Sequence, residues 1–268
     1  MKNFREYLKN IRARGQYAFT TEKALSDLGI SRNAFNCGMY KLKKKGEVIS
    51  PARYLYVIVP PEHQGNGCLP AEELLPILMK HWNLPYYVCL LSAAYYHGAS
   101  HQKPQAFQVM THKQLKPIIC GKVKIEFVYR RSLDQLPLQQ RTVKTGYLSI
   151  STPELTVMDM FTYPHRSGGL NHIATVLSEL VEVIQPEALK IVMINSSEKS
   201  WIQRFGYVLE HVDSMDTEHQ NKVIRVIQCY VDSLSLSPIP LAAELSKKGA
   251  IKNPHWQVFE NTSIESDL

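Results

Sequence analysis

The chain has 268 residues, 44 % of them hydrophobic, and that length is a prior for about two domains, each able to bury a core without disulfides or metal. This composition excludes a disordered or fibrous chain. No apolar run approaches the roughly 20 residues of a spanning helix, and Met1-Lys2-Asn3-Phe4 opens a charged amphipathic stretch rather than a signal core, so the expectation is a cytoplasmic protein without membrane contact. Residues 1–60 carry 12 Lys/Arg and 4 Asp/Glu, a net of +8, while residues 61–268 carry 19 and 20, a net of −1. Charge concentrated on one small module is the footprint of a polyanion binder, although a solvated basic surface has the same composition.

Phe4, Tyr7, Leu8 and Ile11 recur at helical spacing, which predicts a first helix ended by Gly15. Thr20 or Thr21 offers an N-cap to a short second helix with Ala24, Leu25 and Leu28 inward, and Gly29 can take the left-handed conformation that stops it. Ser31 caps a third helix with Phe35, Met39 and Leu42 inward. Two short helices around a tight glycine turn form a helix-turn-helix, whose second helix reads DNA. Its outward positions are Arg32, Asn33, Asn36, Tyr40, Lys43 and Lys44. Arg and Asn bind guanine and adenine in bidentate fashion, while Lys and Tyr suit phosphates. Val48-Ile49 and Tyr54–Val59 then read as a β-hairpin with its turn at Ser50–Arg53. A hairpin there makes the module a winged helix, with Arg53 at the wing tip, within reach of a phosphate or the minor groove. A protein–protein winged helix is the competing reading, and the +8 module favours DNA.

Pro60–Gly67 has the content of a linker, and residues 69–82 look helical, with Pro76 expected to break or restart that helix. Tyr86–His97 reads as one apolar helix ending at Gly98. Phe107–Met110, Val123–Tyr129 and Tyr147–Ile150 read as strands. Ser151-Thr152-Pro153-Glu154 reads as a capping box with Pro in the first turn. Further helices are expected at Leu170–Val183, Glu187–Ile194 and Thr217–Leu234, and the hydroxyl-rich Ser196–Ser200 reads as a loop. The predicted fold class is α+β: an N-terminal winged helix-turn-helix followed by a larger mixed α/β domain with a small sheet. The expected boundaries are 1–62 for DNA binding, 63–84 for the connection and 85–268 for the C-terminal domain.

The sequence offers little catalytic chemistry. It has no phosphate-cradling loop, no Rossmann glycine fingerprint and no Gly-x-Ser-x-Gly elbow. Glu126 lies on a strand suited to a nuclease site but lacks the following x-Lys and an upstream Asp. His97 and His101 are four apart, but Gly98 and Ser100 interrupt the helix, so capping or core hydrogen bonds are expected in place of a metal. Asp159 on an apolar helix reads as structural before functional. The cysteines Cys37, Cys68, Cys89, Cys120 and Cys229 form no Cys-x-x-Cys and suit a reducing compartment, with Cys89 and Cys229 expected to pack as small hydrophobes. The densest basic cluster outside the winged helix is Lys113, Lys116, Lys122, Lys124, Arg130 and Arg131, a candidate interaction surface or an ordinary solvated sheet edge.

Three segments together carry a family resemblance. They are the winged helix ending in Arg53-Tyr54-Leu55-Tyr56-Val57, the run Leu91–Pro104 with the Phe107–Thr111 strand, and Ile150–Met160 with the helical region His165–Leu180. They resemble the AbiEi family of bacterial antitoxins. The resemblance implies a type IV toxin–antitoxin system, often linked to abortive phage infection. In such systems the N-terminal domain represses its operon by binding inverted repeats in double-stranded promoter DNA. The C-terminal domain counteracts a nucleotidyltransferase-like toxin without needing a stable complex, and the basic cluster above is its candidate surface here. The chain departs from the family at the wing, where Ser50-Pro51-Ala52-Arg53 replaces an Arg-Gly-containing turn. No catalytic residue, metal or cofactor is carried over, and the expectation is a regulator and not an enzyme. The rival expectation is a winged-helix regulator whose second domain senses a ligand.

Overall fold

Helix α1 (Lys2–Ala13) opens the computed structural model, which describes residues 2–99 and 103–264. The described chain divides into two compact units that do not follow chain order. The first comprises Met1–Val88, Gln105–Asp134 and Gln140–Ile150, and the second Cys89–Pro104, Gln135–Gln139 and Ser151–Leu268. The winged helix and the main sheet therefore share a unit. The boundaries drawn from composition, at 62 and 85, follow sequence order, whereas these units follow packing.

In the first unit α1 is followed by β1 (Ala18–Thr20), α2 (Thr21–Leu28), α3 (Arg32–Lys44), β2 (Val48–Ala52) and β3 (Leu55–Ile58), with strand order β1-β3-β2. This is the expected winged helix. Thr20 caps α2 by accepting from the Lys23 N–H at 3.3 Å, Gly29 ends it at φ 60°, and Ser31 caps α3 by accepting from Ala34 at 3.3 Å. The core is aromatic. Phe19 stacks on Tyr56 at 5.6 Å, Tyr7 meets Phe19 edge-on at 5.5 Å, and Phe35 meets Tyr56 edge-on at 5.3 Å. A Cβ on Gly38 would lie 2.5 Å from the Phe4 ring, so α3 can accept α1 this closely only with glycine there.

The hairpin turn differs from the expectation. Ser50, Pro51 and Ala52 stay in β2, and the turn is Arg53-Tyr54, between the paired residues Ala52 and Leu55. The register shifts between Ile49 and Ala52, so the strand bulges and Pro51 sits where no ladder hydrogen bond is required of it. After a 3₁₀ turn (Pro61–Asn66), α4 (Ala71–Trp82) runs unbroken through Pro76. The proline removes one hydrogen bond, but Leu74, Leu75, Leu78 and Met79 are all buried, and packing outweighs propensity.

The predicted helix Tyr86–His97 splits into strand β4 (Tyr86–Val88) and helix α5 (Leu90–Tyr96). β4 sits inside a six-stranded mixed sheet of order β6-β7-β5-β4-β9-β8, with β5 Phe107–Thr111, β6 Ile118–Cys120, β7 Val123–Tyr129, β8 Leu138–Val143 and β9 Gly146–Ser151. β5 runs parallel to β7 and β4 parallel to β9, while β4–β5 and β6–β7 are antiparallel.

The second unit is mainly helical: α5, α6 (Pro153–Thr162), α7 (Gly169–Leu180), α8 (Pro186–Asn195), α9 (Ser200–Glu210) and α10 (Thr217–Asp232). A small sheet of β10 (Ile239–Pro240), β11 (Ile251–Asn253) and β12 (Val258–Glu260) follows. The cap of α6 is Thr152, accepting from Leu155 at 3.4 Å, and the anticipated capping box does not close. Glu154 turns inward instead and accepts from the Gln185 N–H at 2.8 Å. Helix α9 buries Trp201, Ile202, Phe205, Tyr207, Val208 and Leu209. A Cβ on Gly206 would collide with the Trp256 indole, so this tail aromatic packs directly on the α9 backbone. Cys229 is exposed on α10 and does not pack as a hydrophobe, because the helix turns Val223, Ile227 and Val231 inward instead. Cys89 is buried, at the N-cap of α5 and not within a helix.

Candidate nucleic-acid interface

Burying Phe35, Met39 and Leu42 turns the opposite face of α3 outward, and Arg32, Asn33, Asn36, Tyr40, Lys43 and Lys44 are all exposed there. Tyr40 is 68 % exposed at the middle of this face. The wing stands beside this face. Lys43 Nζ lies 5.1 Å above the Tyr56 ring, and the Arg32 guanidinium lies 5.7 Å from the centre of the Tyr54 ring. Arg53 is exposed at the wing tip and rests 4.6 Å over the same Tyr54 ring. All seven candidates from the sequence are thus exposed on the helix and the adjoining wing.

Sequence reading passed over three features of this surface. Cys37 is exposed on the same helix as the asparagines. Tyr54 adopts φ 64°, a left-handed conformation at a bulky residue, and no sequence pattern announces that. The basic charge also extends beyond α3: Arg5, Lys9 and Arg12 line a groove of about 490 Å³ against Leu8, Tyr17 and Val59. Glu47, also in this groove, is paired with Arg5 at 3.3 Å.

The second basic group is dispersed. Lys122 and Lys124 lie at the start of β7, and Arg130 and Arg131 follow its end. Lys113 and Lys116 follow β5, whose last residue Thr111 pairs with Tyr129 at that same end. Seven strand residues separate the two subsets by roughly 20 Å. Lys124 pairs with Glu126 at 2.5 Å, and Arg130 is half-buried and donates to the Tyr87 hydroxyl at 3.2 Å.

In the second unit a set of polar groups points inward. His97 Nε2 donates to the Ser151 carbonyl at 2.7 Å, and burial holds its pKa below the ordinary histidine value. Ser151 Oγ and Thr156 Oγ1 share a hydrogen bond of 2.7 Å. Glu154 and Asp159 are buried on α6, away from solvent. His101 of the considered histidine pair lies outside the described residues, as do Ser100 and Gln102 of the Leu91–Pro104 run. Among the described residues, no group of three or more His, Cys, Asp or Glu could hold a metal ion, and no helix is long and apolar enough to cross a membrane.

Residues 86–211 match the family model of the AbiEi antitoxin C-terminal domain. The match runs from β4 through α9 and includes the His97, Glu154 and Asp159 environment. The fold is similar to the crystal structure of the RV2827C protein from Mycobacterium tuberculosis, at a TM-score of 0.66 and 17 % identity, covering 94 % of this chain and 89 % of that one. No curated protein matches the sequence.

Proposed function

We propose, from the premise that residues 86–211 belong to the AbiEi antitoxin C-terminal domain family, that this protein is an antitoxin that also represses transcription of its own operon. In this reading residues 1–62 bind inverted repeats in double-stranded promoter DNA. Residues 63–84 form the connection, and residues 85–268 counteract a nucleotidyltransferase-like toxin without a stable complex. The protein acts as a cytoplasmic regulator of a type IV system in phage defence, with no catalytic residue and no cofactor assigned.

The observation that carries the DNA reading is the exposed face of α3 beside the wing. It concentrates Arg32, Asn33, Asn36, Tyr40, Lys43, Lys44 and Arg53 on a module of net charge +8. Arg32, Asn33 and Asn36 suit base edges; Tyr40, Lys43, Lys44 and Arg53 suit the backbone or minor groove. For the antitoxin role the support is the family match, and the six dispersed basic residues Lys113, Lys116, Lys122, Lys124, Arg130 and Arg131 are the candidate neutralising surface.

The test is a titration of the full-length protein against DNA from upstream of its gene and a scrambled control, at two salt concentrations. Point variants are preferable to deleting the first domain, because the winged helix packs within the same unit as the sheet. Arg32→Ala should cost about 1–3 kcal/mol on the preferred site and relax specificity, whereas Lys43→Ala should weaken all sites alike and reduce the salt slope by about 1. Equal losses on both DNAs for both variants would refute the base-reading assignment. Co-expression with a toxin encoded alongside should restore growth, and failure to do so would remove the antitoxin half of the reading.

A further inference from the structure

Tyr54 lies at the tip of the wing in a conformation that L-residues avoid. Its φ is 64°, in a two-residue turn where glycine or asparagine is the ordinary occupant. Its neighbours fix it there. The Tyr54 carbonyl accepts from the Thr21 N–H at 3.0 Å, at the start of α2. The preceding Arg53 carbonyl accepts from His81 Nε2 at 3.1 Å, on α4. Ala52 and Leu55 pair directly across the turn, below a bulge that bends the strand. A strained backbone held from three sides directs its side chain to one place. That place is beside two cations: the Tyr54 ring centre lies 4.6 Å from the Arg53 guanidinium carbon and 5.7 Å from that of Arg32. Neither arginine has a carboxylate partner among the described residues. Tyr54 is 46 % exposed, so the assembly faces solvent and is not a core contact.

We propose that Tyr54 is a positioning residue of the DNA-reading surface, holding Arg32 of the recognition helix and Arg53 of the wing on one aromatic ring, an inference that rests on the DNA reading above. A free arginine at an exposed helix start samples many rotamers and loses them on binding. A guanidinium already resting on a ring keeps its in-plane donors free while losing less freedom when it meets a base or phosphate. The left-handed turn is the cost of aiming the ring at both arginines. Stability and DNA binding therefore pull in opposite directions at this one position.

The test uses three full-length variants, Tyr54→Gly, Tyr54→Asn and Tyr54→Phe, with melting temperature and affinity for operator and scrambled DNA measured on each. Gly and Asn relieve the backbone and remove the ring. Both should melt at or above the wild-type temperature while binding the operator about tenfold more weakly. Phe keeps the ring and should bind within about threefold of wild type. The Arg32→Ala/Tyr54→Asn double variant should lose less than the sum of the single losses, because Tyr54 acts partly through Arg32. Operator affinity unchanged in Gly and Asn would overturn the proposal, leaving Tyr54 a turn residue only. Phe losing as much as Gly would also overturn it, in favour of a direct contact by the hydroxyl. Wild-type protein that binds neither DNA would refute the underlying reading and this inference with it, a result separable from the variant outcomes.

Discussion

The winged helix and the helical second unit use polar residues in opposite ways. In the winged helix a small aromatic core of Tyr7, Phe19, Phe35 and Tyr56 holds the fold, and the charged and amide side chains of α3 project from it. In the second unit Glu154, Thr156, Asp159, Gln203 and Gln220 are buried, and those with traceable partners hold backbone groups. Gln203 donates to the Ser237 and Gln257 carbonyls, and Gln220 to those of Leu209 and Val212. A polar residue on the first surface can be exchanged at little structural cost. A polar residue in the second cannot, because its loss leaves a desolvated donor or acceptor without a partner. Stability variants should therefore cluster in the second unit and DNA-binding variants in the first.

The largest effect is expected where the second unit closes on Trp256. Its ring is fully buried on Gly206, and its Nε1 donates to Glu210 at 2.5 Å. Trp256→Ala should destabilise by about 3–5 kcal/mol, read from denaturant unfolding. Gly206→Val should fail comparably, since even a Cβ collides with the indole. A loss below about 1 kcal/mol for Trp256→Ala would mean that the tail is not part of the second unit's core. Next is Glu154→Ala, which strands the Gln185 N–H and should cost about 1–3 kcal/mol without altering DNA affinity. A selective loss of operator binding would break the division between the two regions.

The same contrast explains what the sequence made legible. Caps at Thr20, Ser31 and Thr152 and the amphipathic faces of α1 and α3 are local signals, and each landed within a residue of its expected place. The misses are non-local. Tyr86–Val88 is a short apolar run, which periodicity cannot separate from the start of a helix; its partners lie at Val109–Thr111 and Ile150. β8 reads Leu-Gln-Gln-Arg-Thr-Val, polar enough for a loop, because it is an edge strand. α9 is the exception, a local miss: Trp201, Ile202, Phe205, Val208 and Leu209 fall at helical spacing after the hydroxyl-rich Ser196–Ser200 run. At the candidate DNA surface the exposed residues were readable from helical spacing. The left-handed Tyr54 was not, since it depends on a bulge and on hydrogen bonds from Thr21 and His81.

A smaller effect should appear with pH. Burial lowers the His97 pKa in the folded state, so the unfolded chain binds the proton more readily. The stability contribution of neutral His97 is fully present above the unfolded value of about 6.5 and is lost as pH falls from there toward the folded pKa. His97→Gln should flatten the slope of melting temperature against pH below about 6.5. An unchanged slope would assign the acid sensitivity to another group.

The smallest effect is the sharpest test of the comparison. Asn33, Asn36, Tyr40 and Lys44 are exposed on α3 and make no contact with its buried face. Replacing all four by alanine removes four of the seven proposed contacts, leaving Arg32, Lys43 and Arg53. Asn has poorer helix propensity than Ala by up to about 0.7 kcal/mol at such positions, and removing Lys44 relieves repulsion among Lys41, Lys43 and Lys45. Against this, Lys44 lies in the last turn, where a cation favours the helix dipole by about 0.3–1 kcal/mol. These terms nearly cancel, so the quadruple variant should melt within a few degrees of wild type or slightly higher, with native circular dichroism and operator binding weakened at least about a hundredfold. Cooperative destabilisation beyond about 2 kcal/mol would show that this face packs against something and is not held free for a ligand. In that case the outward-facing first region would obey the same rule as the inward-facing second.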